Sequence, residues 1–392
     1  MGWNKVAIVG VGMIKFGELF EKSAEDMMGE AFLNAVKNVD KGFNPRDIQA
    51  AWLGCSRPNL FGYVTVGGAF LSGNIGLTGI PVSRIENGCP TGSDAFRNAC
   101  MGVASGVFDV ALVMGMEKMR DKSTTEGLLA RAVEGHPIIN RGETAAVTFS
   151  LIATRHMHEF GTSSEQMAMV SVKNRKNACL DPYAHYRSEI KVEDVIKSPM
   201  VAYPLHLFDC CPQTDGAAAT IICRADLASK YTDKPVYVAG FGLGTDYIYF
   251  SEKKHFLGFE ATVMAAKQAY QMAGVGPKDI ALAEVHDCFS ITEIVDYEDL
   301  GFCEKGQGGK FVESGKADRG GQLPVNASGG LISKGHPLGA TGVAQMCELY
   351  WHLRGEAGER QVDVSKGYGL QHNVGGLGIA NSVVTILTNR SN

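Results

Sequence analysis

Four short stretches of this chain bring together residue types that do chemistry. In the first, a strand-like run over residues 81–86 passes through Asn87-Gly88-Cys89-Pro90-Thr91-Gly92-Ser93 into a helix carried by Ala95, Phe96, Ala99 and Val103. Cys89 therefore falls at a strand-to-helix elbow, where a helix N-terminus favours the thiolate, the reactive form of the group. Pro90 suits the first helical turn, where it has no amide to satisfy. The plain alternative is a small core residue, which is how most free cysteines behave. The second stretch, Val285-His286-Asp287-Cys288-Phe289-Ser290, ends another strand, the place where α/β sheets present ligand-binding groups. A His and a Cys two residues apart can supply a hydrogen-bond donor and an acid/base, or be a satisfied histidine beside a buried cysteine.

In the third stretch, Gly329-Gly330-Leu331-Ile332-Ser333-Lys334-Gly335-His336-Pro337-Leu338-Gly339-Ala340-Thr341-Gly342, glycines crowd around one histidine. Close backbone approach to a ligand accounts for them, which makes Gly329, Gly330 and Ser333 candidate substrate contacts and His336 a fixed functional group. The fourth, Gly369-Leu370-Gln371-His372-Asn373-Val374-Gly375-Gly376-Leu377-Gly378, precedes a terminal apolar strand, and its amides are suited to an anion hole.

The elements that must position these residues are repeated within the chain. Val6-Ala7-Ile8-Val9-Gly10-Val11-Gly12-Met13 reads like Val236-Tyr237-Val238-Ala239-Gly240-Phe241-Gly242-Leu243, and each precedes a segment of helical period, over 24–39 and 259–273. Pro45-Arg46-Asp47-Ile48 then matches Pro277-Lys278-Asp279-Ile280. The expectation is an α/β protein of two duplicated halves with largely parallel sheets in a layered arrangement. Residues 1–120 form the first part of the N-terminal half and 231–392 the C-terminal half. Between them, 121–230 is an inserted loop domain, with the return strand of the first half, placed to lie over the site. The Gly10-Val11-Gly12 turn invites a dinucleotide reading, but the third glycine and an acidic ribose partner are missing.

Composition bounds the rest. At 392 residues, 45% hydrophobic and 20% charged, the chain is an ordinary globular protein, and its formal charge of −5 gives no basic surface for nucleic acid. Ten cysteines in irregular positions and no CxxC pair imply neither a disulfide framework nor a structural zinc site. With no signal peptide, no run of about 18 apolar residues and no peroxisomal C-terminus, a cytoplasmic location is expected. His156 and His158 read as a solvated helix face rather than metal ligands, and Cys210-Cys211 as a buried loop pair.

With these motifs in order along the whole chain, the sequence resembles the thiolase family, and within it the sterol-carrier-protein type and its bacterial and archaeal relatives. The resemblance implies the thiolase fold and cleavage of a 3-oxoacyl-CoA by coenzyme A, or the reverse Claisen condensation, through an acyl-cysteine. Coenzyme A is a substrate, and neither a cofactor nor a metal is called for. Residue by residue, the resemblance implies that Cys89 is the nucleophile and His336 its base. It makes His286 a donor to the enolate oxygen and Cys288 the acid/base that moves its proton. His372 stands where other thiolases keep their second cysteine, and is the alternative proton carrier. The amides of Cys89 and Val374 would line an oxyanion hole. The substrate is open between acetoacetyl-CoA and a branched or aromatic 3-oxoacyl-CoA such as benzoylsuccinyl-CoA. Implied partners are a second copy in a homodimer and a small zinc-ribbon/OB-fold accessory protein. Rival readings are a retro-aldol lyase acting on an acyl-CoA and a noncatalytic scaffold subunit.

Overall fold

A computed structural model describes residues 3–58, 66–121, 144–376 and 379–391. Strand and helix alternate from the start: β1 (Val6–Met13), α1 (Ala24–Lys37), β2 (Ala50–Gly54), α2 (Gly67–Asn74), β3 (Val82–Ile85), α3 (Thr91–Ala104) and β4 (Val110–Glu117). A mainly helical stretch follows, with α4 (Ala145–Phe160), α5 (Ser164–Ala178), α6 (Val192–Lys197), a hairpin of β5 (Met200–Ala202) and β6 (Leu205–His206), and then β7 (Gly216–Arg224). Alternation resumes with β8 (Val236–Thr245), α7 (Glu260–Ala273), β9 (Leu282–Glu284), α8 (Ser290–Asp299), α9 (Gly308–Glu313), α10 (Gly330–Lys334), α11 (Leu338–Arg354), β10 (Tyr368–Gly375) and β11 (Asn381–Thr388). Local signals set several boundaries: Ser23 with Asp26 and Ser163 with Gln166 form capping boxes that satisfy the first amides of α1 and α5. Part of the expected insertion, residues 122–143, lies outside the described residues.

Among the described residues nine strands share one sheet in the order β3-β2-β4-β7-β1-β8-β11-β10-β9. Read outward from the β1–β8 contact, its two sides are copies. β1 answers β8, β7 answers β11, β4 answers β10 and β2 answers β9, while a parallel bridge between Ala283 and Val325 stands where β3 would. The layered α/β class of two duplicated halves holds, and the sheet within it is mixed. Pairing is parallel for β3 with β2, β2 with β4, and β10 with β9. It is antiparallel where β7 lies between β4 and β1, and where β11 lies between β10 and β8. The connection from β10 to β11 is too short for a crossover, which forces the antiparallel arrangement.

α1 packs on β1 and β7, and α7 on β8 and β11, while α3 and α11 lie between the halves, α11 touching β4 and β7 of the first and β10 of the second. Every residue of α11 is buried, so its polar side chains must find partners inside the protein. The glycines of Gly10-Val11-Gly12 are mid-strand: a Cβ on Gly12 would strike the α1 backbone at Ala31 and Ala35, as one on Gly240 would strike α7 at Ala269 and Ala273. They let a helix of small residues lie close to its strand, and the repeat preserves that contact in both halves. His156 departs from expectation. It is fully buried, with Nδ1 2.9 Å from Thr162 Oγ1 and Nε2 3.2 Å from the Glu298 carboxylate. Among the described residues no helix is long and apolar enough to cross a membrane.

Candidate active site

The elbow carrying Cys89 is tied at both ends. Gly88 donates its amide to Glu86 Oε1 at 2.8 Å, Asn87 donates to Thr91 Oγ1 at 2.8 Å, and the Thr91 amide closes the turn on the Gly88 carbonyl at 3.2 Å. Pro90 is the residue immediately before the helix. Cys89 is half-buried and packs against Met119 and Leu338. β10 passes so close that a Cβ on Gly375 would lie 2.6 Å from Cys89 Sγ, so only glycine fits there.

Two imidazoles face this thiol, each with its tautomer assigned by the hydrogen-bond network. His336 Nδ1 is 2.7 Å from Thr341 Oγ1, and that hydroxyl donates to the Pro337 carbonyl at 3.0 Å. The hydroxyl proton is committed, so Nδ1 carries the hydrogen and Nε2 the lone pair. For His286 the polarity is reversed. Asn373 Nδ2 lies 3.3 Å from its Nδ1 and can only donate, which puts the ring proton on Nε2, an atom with no hydrogen-bond partner among the described residues. Burial, and after it the neighbouring His336 and His372, hold His286 well below the usual imidazole range, so it stays neutral. The Cys89 thiol and ring nitrogens of His286 and His336 all lie within 4.8 Å of one another, close enough to hold a metal ion. The two rings meet edge to face with centroids 4.9 Å apart.

Cys288 is buried behind this group, its Sγ 3.7 Å from Thr292 Oγ1. Burial, with added repulsion from Cys211 and Cys89, pushes its thiol well above the ordinary range, so it is protonated. His372 is not brought to the cluster. Side chains alternate along β10, so Gln371 and Asn373 share one face, toward Ser93 and Gln345, while His372 takes the other. There its Nε2 is 3.0 Å from Thr262 Oγ1 and its Nδ1 3.2 Å from Asp296, and burial lowers its pKa to about 3. Val374 precedes Gly375 and so lies on the stretch of β10 that passes Cys89.

At three glycines of the third motif an added side chain would meet protein. A Cβ on Gly329 would meet Ala178, one on Gly330 the Asp287 carboxylate, and one on Gly335 the Thr214 side chain. Asp287 accepts the Leu331 and Ile332 amides at 2.6 and 3.2 Å and so caps α10. Gly329 and Gly330 are thus packing positions, and Ser333 is fully buried, its Oγ without a partner among the described residues. Residues that sequence reasoning passed over hold the site together: Asn373 and Thr341 set the two tautomers. Glu117, fully buried, accepts the amides of Ser56 at 2.9 Å, Arg57 at 2.7 Å and Gly339 at 2.9 Å. The period of two along β10 was the available signal for Asn373; nothing local marks Glu117.

Comparison with known proteins accords with this geometry. The family model described as "Thiolase, N-terminal domain" matches residues 6–226, and "Thiolase C-terminal domain-like" matches 242–389. The chain is 45% identical to an acetyl-CoA acetyltransferase of Methanothermobacter thermautotrophicus, over 95% of this chain and 97% of that protein. It is 36% identical to sterol carrier protein 2 of Bos taurus, over 98% of this chain and 72% of that protein. It is 34% identical to the benzoylsuccinyl-CoA thiolase subunit BbsB of Thauera aromatica, over 95% of both. Among solved structures, a chain of an Ltp2-ChsH2(DUF35) aldolase superposes with a TM-score of 0.82 at 25% identity, over 99% of both chains.

Proposed function

The chain belongs to the thiolase family, and from that premise we propose that it exchanges acyl groups between a 3-oxoacyl-CoA and coenzyme A through an acyl-cysteine at Cys89. The observation that carries this is the convergence of the Cys89 thiol with His286 and His336 within 4.8 Å. His336 Nε2, held as the lone-pair nitrogen by Thr341, takes the thiol proton, and the resulting thiolate attacks the 3-oxo carbon. Amides of Cys89 and Val374 would receive the tetrahedral oxyanion, each donor worth about 3 kcal/mol in comparable acyl transfer. As the carbon–carbon bond breaks, the departing carbanion is held as an enolate whose oxygen accepts from His286 Nε2–H, and the Cys288 thiol protonates its carbon. A thiol held in its protonated form suits an acid in the cleavage direction. The Cys288 thiolate then takes the thiol proton of coenzyme A, whose sulfur attacks the acyl carbon; Cys89 leaves as a thiolate and recovers its proton from His336, so that one thioester replaces another at little cost.

A retro-aldol reading draws on the aldolase among the structural neighbours. Such a lyase needs no acyl-enzyme, whereas here a thiol stands within 4.8 Å of a nitrogen of each imidazole. Incubation with acetoacetyl-CoA followed by intact-mass analysis decides between them. An adduct of about 42 Da on Cys89, absent in Cys89→Ala, is expected; turnover without any adduct would sink the acyl-transfer reading.

The finer assignments extend the same proposal. The acyl group is that of acetoacetyl-CoA or of a larger 3-oxoacyl-CoA, the protein works in the cytoplasm, and it pairs as a homodimer. β3 is the outer strand of the first half and is only half-buried or exposed along its length, which leaves an edge that a second copy can cover. Light scattering at micromolar concentration should give twice the chain mass of 42.0 kDa, and a monomer would reject pairing. An accessory subunit with a zinc-ribbon/OB-fold is the further partner proposed, supported by the two-component name of the aldolase neighbour.

A further inference from the structure

Six lysines and arginines are buried among the described residues. Lys118, Lys173, Lys334, Arg354 and Arg360 each have a carboxylate within 3.4 Å. Arg175, on α5 and 7% exposed, has none among the described residues, and its Nε has no hydrogen-bond partner among them. Burial lowers its pKa, and no carboxylate is among the groups that act against that. Two rings stack on it instead, Tyr186 at 4.4 Å and Phe208 at 5.6 Å from the guanidinium carbon. Aromatic faces suit the flat side of a guanidinium and leave its N–H edge for another partner. A desolvated arginine kept without a counter-charge is what a site awaiting an anion looks like.

Its surroundings are those of the candidate active site. The Tyr186 amide donates to the Ser333 carbonyl at 2.9 Å and the His185 amide to the Lys334 carbonyl at 3.1 Å, which fastens this rim to the turn before His336. Phe208 opens a segment whose Cys211 amide donates to the Cys288 carbonyl at 2.9 Å, and whose Thr214 packs on Gly335. The local charge is positive. Arg120 is neutralised by Glu18 at 2.5 Å, but Lys15 is exposed, and Lys15 and Arg175 both act against protonation of His185.

We propose that the N–H edge of Arg175 binds an anionic oxygen group of the acyl-CoA, either a carboxylate carried on the acyl chain or a phosphate of coenzyme A. The proposal rests on the acyl-CoA reading above, and gives the enzyme a subsite for an anionic group of its thioester substrate. A planar fork meets either group with paired hydrogen bonds.

Binding to the Cys89→Ala protein, with and without Arg175→Gln, is measured by calorimetry for three thioesters. Butyryl-CoA has phosphates and no acyl carboxylate, succinyl-CoA has both, and succinyl-pantetheine has the carboxylate alone. A carboxylate subsite predicts that Arg175→Gln weakens both succinyl thioesters by about tenfold or more, the weight of a charged hydrogen bond, and leaves butyryl-CoA unchanged. A phosphate subsite predicts the same loss for both CoA thioesters and none for succinyl-pantetheine. Changes under about twofold for all three, or an equal loss for all three, would overturn the proposal and make Arg175 a packing residue. Because binding is read without turnover, a protein that shows Arg175-dependent affinity yet never acylates Cys89 would reject the catalytic reading and leave the anion site standing.

Discussion

At the scale of single residues, the site works by protonation states that neighbours dictate. Thr341 gives His336 a basic Nε2, Asn373 gives His286 an acidic Nε2–H, and burial keeps Cys288 a thiol. Thr341→Val should therefore lower kcat by about tenfold or more, the weight of one buried hydrogen bond that fixes a tautomer, with little change in KM. A sharper division is expected between the two candidate proton carriers. Cys288→Ala should stop deuterium exchange at the α-carbon of an acyl-CoA while Cys89 still accepts an acyl group in a single turnover. His372→Ala should keep exchange, because His372 is held on the far face of β10 by Thr262. Exchange surviving in Cys288→Ala and vanishing in His372→Ala would reverse the assignment. The reactive residues were legible in the sequence because each sits in a motif at a strand end or turn. The orientation of His372 was not, since adjacent positions of a strand point to opposite faces and the motif reads the same either way.

At the scale of elements, the site depends on one buried carboxylate that joins three segments. Glu117, at the end of β4, receives the Ser56 and Arg57 amides from the turn after β2 and the Gly339 amide from the first turn of α11, just beyond His336 and Pro337. Burial raises its pKa and these three amides oppose the rise. Glu117→Gln keeps the volume but turns an NH2 group toward amide donors, so at least one donor loses its acceptor. We expect a loss of about 1–3 kcal/mol in urea unfolding, the cost of an orphaned buried polar group, and a fall in kcat larger than the change in KM because His336 is displaced. Unchanged kcat with lowered stability would reduce Glu117 to a purely structural role. The same scale explains what the sequence displayed and what it concealed. Gly10-Val11-Gly12 in β1 invited a dinucleotide reading, yet there and at its copy in β8 each glycine answers to an alanine of the covering helix. The glycines at 329, 330 and 335 looked like ligand contacts and answer to Ala178, Asp287 and Thr214, which lie far away in the chain. Local pattern reports that close approach is needed, and only the folded chain says to what.

At the scale of the whole molecule, the duplicated halves meet around helices α3 and α11 that no solvent reaches on the α11 side, and that burial forces ionisable groups into the interior. Lys334 and Arg360 pair there with Glu348, whose pKa falls to about 2 despite its burial, while Glu284 is raised to about 7, first by burial and then by Glu348. His352, on the same helix, is lowered to about 4 by burial. The last two act on stability with opposite sign. Below its ordinary value of 6.5, His352 takes a proton in the unfolded chain but not in the folded one, so its contribution is lost as pH falls toward 4. Glu284 binds a proton in the folded chain near pH 7 but in the unfolded chain only near 4.5, so its contribution grows as pH falls through that window. Each effect amounts to about 2 kcal/mol between about pH 6.5 and 5, at roughly 1.4 kcal/mol per unit, so the two nearly cancel in the intact protein. Single variants should uncover them. Measured by urea unfolding at both pH values, the stability of His352→Asn relative to the intact chain should rise as the pH is lowered, and that of Glu284→Gln should fall. Relative stabilities that do not change with pH would show that neither group is held away from its ordinary protonation by the fold, and that the interior between the two halves is open to water.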